Sequence, residues 1–426
     1  MNENVILKNY TTFRCGGPAR FFDEPASVEE VARDIKFAKD NNIDFFVLGG
    51  GANCLISDKG FDGLVIRIGK ELSDLKIDDK GDTAVVTAGA GLLLRSFGLK
   101  VAEAGFEGTE YACGIPGTLG GAVFMNAGAY GGEMKDIVKK VQYVDMNGEV
   151  IEVEGEDLGF GYRTSIFARM AREGQKFVIT EVTAEVKKGT KEEVFARIEE
   201  YKEKRTNSQP LDVPSAGSTF KRPEGFFAGK LIDDTGLRGY SIEGSSAQVS
   251  PKHCGFVVNN GGNATAQEVF DLICDVSDKV YEKFQVRLEP EVRIIGEFEG
   301  YKPEILVSSF GFKYGVPAGY DLVFDVRVLK NPYWEPELKH LSGLDEPVKE
   351  YLASFKETDE LIEHDIRSIE EKYQELTVGP MEVAVGCTGG HHRSVYCAET
   401  ITARLKAKGY KAFVMHRDIA KESRDA

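Results

Sequence analysis

The sequence lacks long apolar runs, an excess of basic residues and any regular cysteine spacing. No apolar segment is long enough to cross a bilayer, and the first residues show no signal-peptide pattern, so we expect a cytoplasmic protein. The formal net charge of −16 argues against a surface built mainly to bind nucleic acid. The seven cysteines are scattered without CxxC spacing, which predicts a reducing compartment and neither a disulfide framework nor a metal site.

Glycine, in contrast, is concentrated in two stretches, residues 45–56 and 111–132. Clustered glycine is costly in conformational entropy, which indicates a backbone that turns sharply or approaches a ligand closely. In the first stretch an apolar run ends at three glycines (Gly49, Gly50 and Gly51), followed by Ala52 and Asn53. This pattern predicts a strand and then a tight turn whose free amides can bind a pyrophosphate. Neither stretch is a GxGxxG dinucleotide turn.

Helical and strand patterns alternate along the first 300 residues, which predicts a mixed α and β fold. Two helices carry N-terminal capping signals, one at 27–41 starting from Ser27 and one at 264–284 capped by Thr265. A turn at 146–149 predicts a hairpin, and the last strand of this part is predicted at 286–296.

A further domain is predicted to begin near residue 303, after a short polar break. Five of the six histidines lie beyond that break. Helical patterns at 345–376 and 394–408 flank an apolar strand at 381–386, which predicts an α/β domain.

Six segments, taken together and in this order, carry a family resemblance. They are residues 12–19 (TFRCGGPA), 48–55 (LGGGANCL), 114–131 (GIPGTLGG followed by NAGAYG), 162–165 (YRTS), 216–221 (AGSTFK) and 288–296 (LEPEVRIIG). Over about 285 residues they resemble the UDP-N-acetylenolpyruvoylglucosamine reductases, flavoenzymes of peptidoglycan precursor synthesis. The spacing between the fourth and fifth segments resembles the shorter subfamily, which lacks an extra tyrosine-bearing loop.

The resemblance implies an α+β fold with a two-part FAD-binding region of the PCMH/vanillyl-alcohol-oxidase type. Its parts would be residues 1–66 and 67–205, followed by an α+β substrate domain at 206–300. The implied reaction passes a hydride from NADPH to FAD and then to the β-carbon of an enolpyruvyl ether.

By resemblance, Ser218 donates the proton, while Arg163 and Glu291 stabilise the enolic intermediate beside the substrate carboxylate. Taken alone, each residue has an ordinary structural explanation: a serine turn, a surface ion pair and an edge-strand charge. The family match favours the catalytic interpretation for all three.

The resemblance also assigns binding residues. Those expected to hold FAD are Gly49, Gly50, Gly51, Ala52, Asn53, Gly114, Ile115, Pro116, Gly117 and Gly120. Those expected to bind the UDP-sugar substrate are Tyr130, Lys221, His253 and Arg293. Some relatives have Asn where this chain has Arg222, and Gln where it has His253.

Residues 303–426 form the remaining predicted domain, an α/β domain that resembles the C-terminal domain of RapZ-type proteins. The resemblance rests on residues 309–315, 325–332, 385–395 and 416–418. The P-loop kinase-like domain that precedes it in that family is absent, because the chain contains no GxxxxGK[ST] motif.

The run 387–394 has the spacing C-x-x-G-x-x-R-S between a predicted strand and a predicted helix, which is typical of an anion-binding loop. The expected anion site comprises Cys387, Thr388, Gly389, Gly390, His392, Arg393, Asp325 and Arg327. Two uses compete: Cys387 as the thiolate nucleophile of a phosphatase, or binding of a phosphorylated metabolite such as an amino-sugar phosphate. Binding is favoured, since no general acid is identifiable by spacing. Adjacent histidines cannot easily share one metal.

The sequence therefore predicts a flavin reductase fused to a sensor or regulatory domain. The alternative is a sensor or adapter that binds amino-sugar phosphate or RNA and carries a degenerate reductase half, although the net charge does not indicate RNA binding.

Overall fold

The computed structural model of the chain describes residues 1–223, 225–300, 304–317, 320–374 and 380–421. The chain forms two compact units, Met1–Glu299 and Gly300–Ala426. Across the described ranges, no helix combines the length and the apolar character needed to span a membrane.

The first unit is built on two main β-sheets. Its strands are β1 (Asn2–Ile6), β2 (Pro18–Asp23), β3 (Phe45–Leu48), β4 (Cys54–Ile56), β5 (Phe61–Arg67), β6 (Leu75–Asp79), β7 (Thr83–Gly89), β8 (Phe106–Glu107), β9 (Gly128–Ala129), β10 (Gly132–Glu133), β11 (Val138–Asp145), β12 (Val150–Glu154), β13 (Phe177–Lys188), β14 (Ala247–Val249), β15 (Val257–Asn259) and β16 (Arg293–Ile295). The first sheet has the order β1-β2-β5-β3, and the second has the antiparallel order β12-β11-β13-β7-β6, with β8 beside β13. Short pairs join β9 to β10, β14 to β15 and β4 to β16.

Helices cover these sheets and close the core of the first unit. They are α1 (Val28–Asp40), α2 (Leu94–Glu103), α3 (Leu119–Phe124), α4 (Ile166–Arg172), α5 (Lys191–Ser208), α6 (Ala228–Asp234) and α7 (Ala266–Phe284). One hydrophobic cluster joins Ile35 of α1, Leu64 of the first sheet, and Val86 and Val141 of the second. This shared core fixes the two sheets relative to each other.

The capping signals read from the sequence are present. Ser27 accepts a hydrogen bond on its hydroxyl from the Glu30 amide at 3.3 Å. Thr265 and Glu268 form a complete capping box at the start of α7. The hairpin predicted at 146–149 is also confirmed, as the connection between β11 and β12.

The strand predicted at 286–296 is shorter than expected. Only Arg293–Ile295 forms a strand, pairing in parallel with β4. The preceding residues pair elsewhere: Pro290 bridges Phe220, and the Glu291 amide donates to the Thr219 carbonyl at 2.8 Å. Since proline has no N–H to donate, this segment cannot continue a regular ladder.

The second unit is a parallel α/β structure. Its strands are β17 (Ile305–Gly311), β18 (Leu322–Asp325), β19 (Met381–Cys387) and β20 (Ala412–His416), in the order β18-β19-β17-β20. In the described part of this unit, all strand pairings are parallel. The helices described there are α8 (Glu346–Ala353), α9 (Lys356–Gln374) and α10 (Arg393–Ala407).

The prediction of a single helix at 345–376 is wrong, because the structure has two helices there, α8 and α9. The break falls at Ser354, whose hydroxyl donates to the Tyr351 carbonyl at 2.7 Å. A serine bonded in this way competes with the backbone bonds that would continue the helix. Residues 375–376 of the prediction lie outside the described residues.

Candidate active site

Arg163 and Glu291 come from distant parts of the first unit and form an ion pair. The Arg163 Nε donates to Glu291 Oε1 at 2.9 Å, and Arg163 Nη2 donates to the Gly128 carbonyl at 3.2 Å. Burial raises the pKa of the Glu291 carboxyl, while the neighbouring Arg163 charge opposes that rise. A mostly buried pair of this kind is costly to desolvate, and such pairs are common at functional sites.

The Arg163 backbone is itself unusual. Its φ of 52° lies in the left-handed region, which is rarely populated by a residue with a long side chain. The segment is held by Asn126, a fully buried residue whose amide nitrogen donates to the Gly161 carbonyl and to Glu133, each at 2.8 Å. The surroundings therefore enforce the conformation that aims the Arg163 guanidinium at Glu291.

Ser218 lies next to the same carboxylate segment along the chain. Its neighbour Thr219 accepts a backbone hydrogen bond from Glu291 and donates one to the Gly255 carbonyl, both at 2.8 Å. The Ser218 side chain is exposed, so its hydroxyl is available to a ligand. The structure thus places Ser218, Arg163 and Glu291 in one region of the first unit.

The two glycine-rich loops pack directly against each other. A Cβ on Gly50 would lie 2.7 Å from the Gly117 Cα, a distance that real Cβ atoms do not adopt. Gly51 has a φ of 62°, and a Cβ there would lie 1.9 Å from the Tyr10 carbonyl oxygen. The absence of side chains at these positions is therefore required by the fold.

Several amides of these loops are free. Among the described residues, the backbone N–H groups of Gly50, Gly51 and Gly117 have no acceptor. Gly120, in contrast, donates its amide to the Ala90 carbonyl at 2.8 Å. Adjacent free amides at the meeting point of two loops suit an anionic group such as a pyrophosphate, so the residues present fit FAD.

Asn53 connects the first loop to the segment that contains Glu291. Its side-chain nitrogen donates to the Glu291 carbonyl at 3.0 Å, and its own carbonyl accepts from the Arg293 amide at 3.1 Å. The sequence did not reveal this role, since a residue in a glycine-rich turn gives no sign of its partner 238 residues away.

The four residues expected to bind substrate differ in their surroundings. Arg293 lies over the rings of Phe46 and Phe124, at 5.6 and 4.9 Å, and burial lowers its pKa. No carboxylate within the described part of the chain pairs with it. Lys221, in contrast, is paired with Glu289. Arg293 is therefore the freer of the two cations to meet an anion.

Tyr130 and His253 make local contacts. The Tyr130 ring stacks on Tyr201 at 4.6 Å. His253 Nδ1 accepts from the Gly255 amide at 3.1 Å, and burial lowers the His253 pKa. The Gly255 carbonyl accepts from the Thr219 amide, so His253 lies near the segment that contains Ser218.

In the second unit, the run 387–394 connects β19 to α10. Cys387 Sγ accepts from the Gly390 amide at 3.2 Å and lies 3.1 Å from the Ser394 hydroxyl. Cys387 is only 3% exposed, which favours a structural or binding role over attack on a substrate. Gly390 has a φ of 77°, as a tight loop of this kind requires.

Arg393 was expected to bind the anion, but two of its guanidinium nitrogens donate hydrogen bonds to groups of the protein. Its Nη1 donates to the carbonyls of Arg327 and Leu329, at 2.8 and 3.0 Å, and its Nη2 donates to Thr388 at 3.4 Å. Its Nε is buried without a partner, as is Nε2 of His391, a residue absent from the predicted site. Among the described residues, these two nitrogens of the loop are buried without a hydrogen-bond partner.

The remaining residues of the predicted anion site are less enclosed. Asp325 and Arg327 form an exposed ion pair with each other, at 2.6 Å. His392 Nε2 lies 3.2 Å from the Leu338 carbonyl, and burial lowers its pKa. Nearby, the buried Asp418 accepts from the Gly311 amide, and Arg417 and Lys421 help to hold its pKa at about 2.

Comparison with known proteins relates each of the two units to a protein family. A family model described as an FAD binding domain matches residues 19–154, and one described as the C-terminal domain of UDP-N-acetylenolpyruvoylglucosamine reductase matches 209–295. The RapZ C-terminal domain model matches 303–420. The first unit thus defines an FAD-binding flavoprotein, and the α+β fold predicted for it is confirmed.

Individual relatives agree. The UDP-N-acetylenolpyruvoylglucosamine reductase of Lachnoclostridium phytofermentans is 45% identical over 294 residues, which cover 69% of this chain and 92% of that protein. That of Clostridioides difficile is 44% identical and covers 68% and 92%. The crystal structure of the Thermus caldophilus enzyme has a TM-score of 0.57 at 36% identity and covers 69% and 98%. The chain belongs to the UDP-N-acetylenolpyruvoylglucosamine reductase family and carries an additional RapZ-type domain.

Proposed function

We propose that this chain reduces UDP-N-acetylenolpyruvoylglucosamine to UDP-N-acetylmuramate in the cytoplasm, with NADPH as the reductant and FAD as the cofactor. The observation that carries the proposal is the Arg163–Glu291 pair beside Ser218, in a chain of this family. Gly49–Asn53 and Gly114–Gly117 would hold the FAD, and its ring would relay the hydride between NADPH and the substrate.

The residues of the chain would then stabilise the negative charge that develops on the substrate and supply the proton that the reaction needs. As the substrate β-carbon gains a hydride, negative charge develops over the α-carbon and the carboxylate. Arg163 stabilises that charge, and Glu291 holds the guanidinium in place through its 2.9 Å hydrogen bond. Ser218 donates the proton that completes the α-carbon, so that one hydride and one proton saturate the double bond.

The electrostatics of the site support this assignment. Arg163 has a partner within the chain, Glu291, and burial raises the pKa of that carboxyl. Arg293 adds a second cation without a carboxylate partner among the described residues. Two guanidinium groups suit a substrate that carries both a carboxylate and a diphosphate.

The absorption spectrum of the purified protein tests the proposal. We expect a yellow protein whose flavin band is bleached by NADPH under anaerobic conditions and restored by the enolpyruvyl substrate. A protein that binds no FAD would contradict the reductase function. Bound flavin that NADPH bleaches but the substrate never restores would favour the sensor alternative.

For the second unit, we propose that the loop 387–394 binds a phosphorylated amino sugar. The supporting observation is a pair of side-chain nitrogens, Arg393 Nε and His391 Nε2, that are buried without partners at the start of α10. A helix N-terminus adds a favourable dipole for an anion.

Calorimetric titration with glucosamine-6-phosphate tests this site. Because Arg393 also binds two carbonyls, its removal would disturb the fold, so His391→Ala is the better variant. Loss of one hydrogen bond to a charged ligand corresponds to roughly tenfold weaker binding. Unphosphorylated glucosamine is the control, and absence of binding to the wild type would reject this ligand.

A further inference from the structure

Arg205, in the last turn of α5, is a second enclosed cation that the mechanism above does not use. Its Nε is buried without a hydrogen-bond partner, and burial lowers its pKa. No carboxylate or carbonyl of the described residues accepts from its guanidinium. Arg197, two turns earlier in α5, pairs instead with Glu107 and Glu110.

The position of Arg205 is set by the second glycine-rich loop. A Cβ on Gly114 would lie 2.6 Å from Arg205 Cδ and 3.1 Å from its Nε. The arginine stem thus occupies the space that a side chain at position 114 would need. Gly114 ends the short helical turn Glu110–Gly114 that leads into the loop.

Arg205 lies at the catalytic end of that loop. Tyr130 stacks on Tyr201, one turn before Arg205 in α5, and lies two residues from Gly128, whose carbonyl accepts from Arg163. The opposite end of the loop, at Gly117, packs against Gly50 and carries the free amides. The pyrophosphate is expected at the Gly117 end, so Arg205 is better placed for the ring.

A cation whose Nε is buried without a hydrogen-bond partner is unfavourable unless it meets negative charge. When a flavin is reduced, negative charge accumulates at the N1–C2=O edge of its ring. We propose that Arg205 binds this edge of the bound flavin and stabilises its reduced, anionic form. This inference rests on the proposed function, since it requires FAD between the two loops.

The test compares Arg205→Met with Arg205→Lys and with Lys202→Met, an exposed residue of the same helix that pairs with Glu199. We expect Arg205→Met to shift the ratio of reduced to oxidised flavin at a fixed potential roughly tenfold toward the oxidised form. For a two-electron couple this is a fall of about 30 mV in the reduction potential. Arg205→Lys should retain most of the wild-type potential, and Lys202→Met all of it.

The potential is measured by equilibration with a reference dye, alongside titration of the apoprotein with FAD. Weaker FAD binding at an unchanged potential would place Arg205 at the pyrophosphate and overturn the inference. A higher substrate KM with both flavin properties unchanged would also overturn it. If Arg205→Met does not fold, Arg205→Gln replaces it as the neutral variant.

The same experiment separates this inference from the proposed function. If the wild-type protein binds no FAD, the proposed function itself is contradicted. A wild type that turns over, together with an Arg205→Met variant of unchanged potential, would refute only the role of Arg205.

Discussion

Replacing Ser218 with alanine is expected to leave flavin reduction by NADPH unchanged and to slow reoxidation by the enolpyruvyl substrate about 10²- to 10⁴-fold, the usual contribution of a positioned proton donor. The two half-reactions differ because only the second delivers a proton to carbon. The substitution removes an exposed hydroxyl, while the neighbouring Thr219 keeps both of its backbone hydrogen bonds. The geometry of Arg163 and Glu291 is therefore preserved.

Stopped-flow absorbance of the flavin band measures each half-reaction separately. Ser215→Ala is the matched control, since Ser215 lies in the same loop and contributes a backbone bridge to Val258. Equal slowing of both half-reactions would indicate a disturbed cofactor site. A reoxidation rate like that of the wild type would remove Ser218 from the mechanism.

Gly50→Ala should produce a protein that folds but retains little FAD. The added Cβ would meet the Gly117 Cα at 2.7 Å, and a backbone atom cannot move aside as a flexible side chain can. The two loops must separate, which displaces the free amides of Gly51 and Gly117 from each other. Overpacking of this kind is worth about 1–3 kcal/mol, so we expect FAD binding to weaken roughly ten- to hundredfold.

Flavin content after purification and titration of the apoprotein check this expectation. Gly69→Ala is the control, because a Cβ there would find its nearest atom at 3.8 Å, the carboxylate oxygen of Glu24. If Gly50→Ala retained FAD as well as Gly69→Ala does, the loop contact would have no part in cofactor binding.

Local signals in the sequence predicted the local structure well. The caps at Ser27 and Thr265 and the turn at 146–149 depend on residues within a few positions of one another, so a short window contains all the information. The break at Ser354 escaped prediction because the apolar pattern continues across it, and only a side-chain hydrogen bond distinguishes the two helices.

The candidate sites were predictable only in part. Motif resemblance indicated Arg163, Ser218 and Glu291, but not that Asn53 and Asn126 hold them in place. Arg393 was expected to face an anion, and the structure shows its Nη1 bound to two backbone carbonyls. No sequence pattern indicated Arg205. Its Nε is buried without a partner because distant segments pack around it, and a local pattern carries no information about such packing.

The hydrogen bonds of Asn53 have a mechanical consequence. One residue connects the turn expected to grip the pyrophosphate with the backbone on both sides of Val292, through Glu291 and Arg293. Any displacement of that turn is transmitted to the carboxylate that orients Arg163. We therefore expect the position of the cofactor-binding turn and the position of Glu291 to be coupled through Asn53.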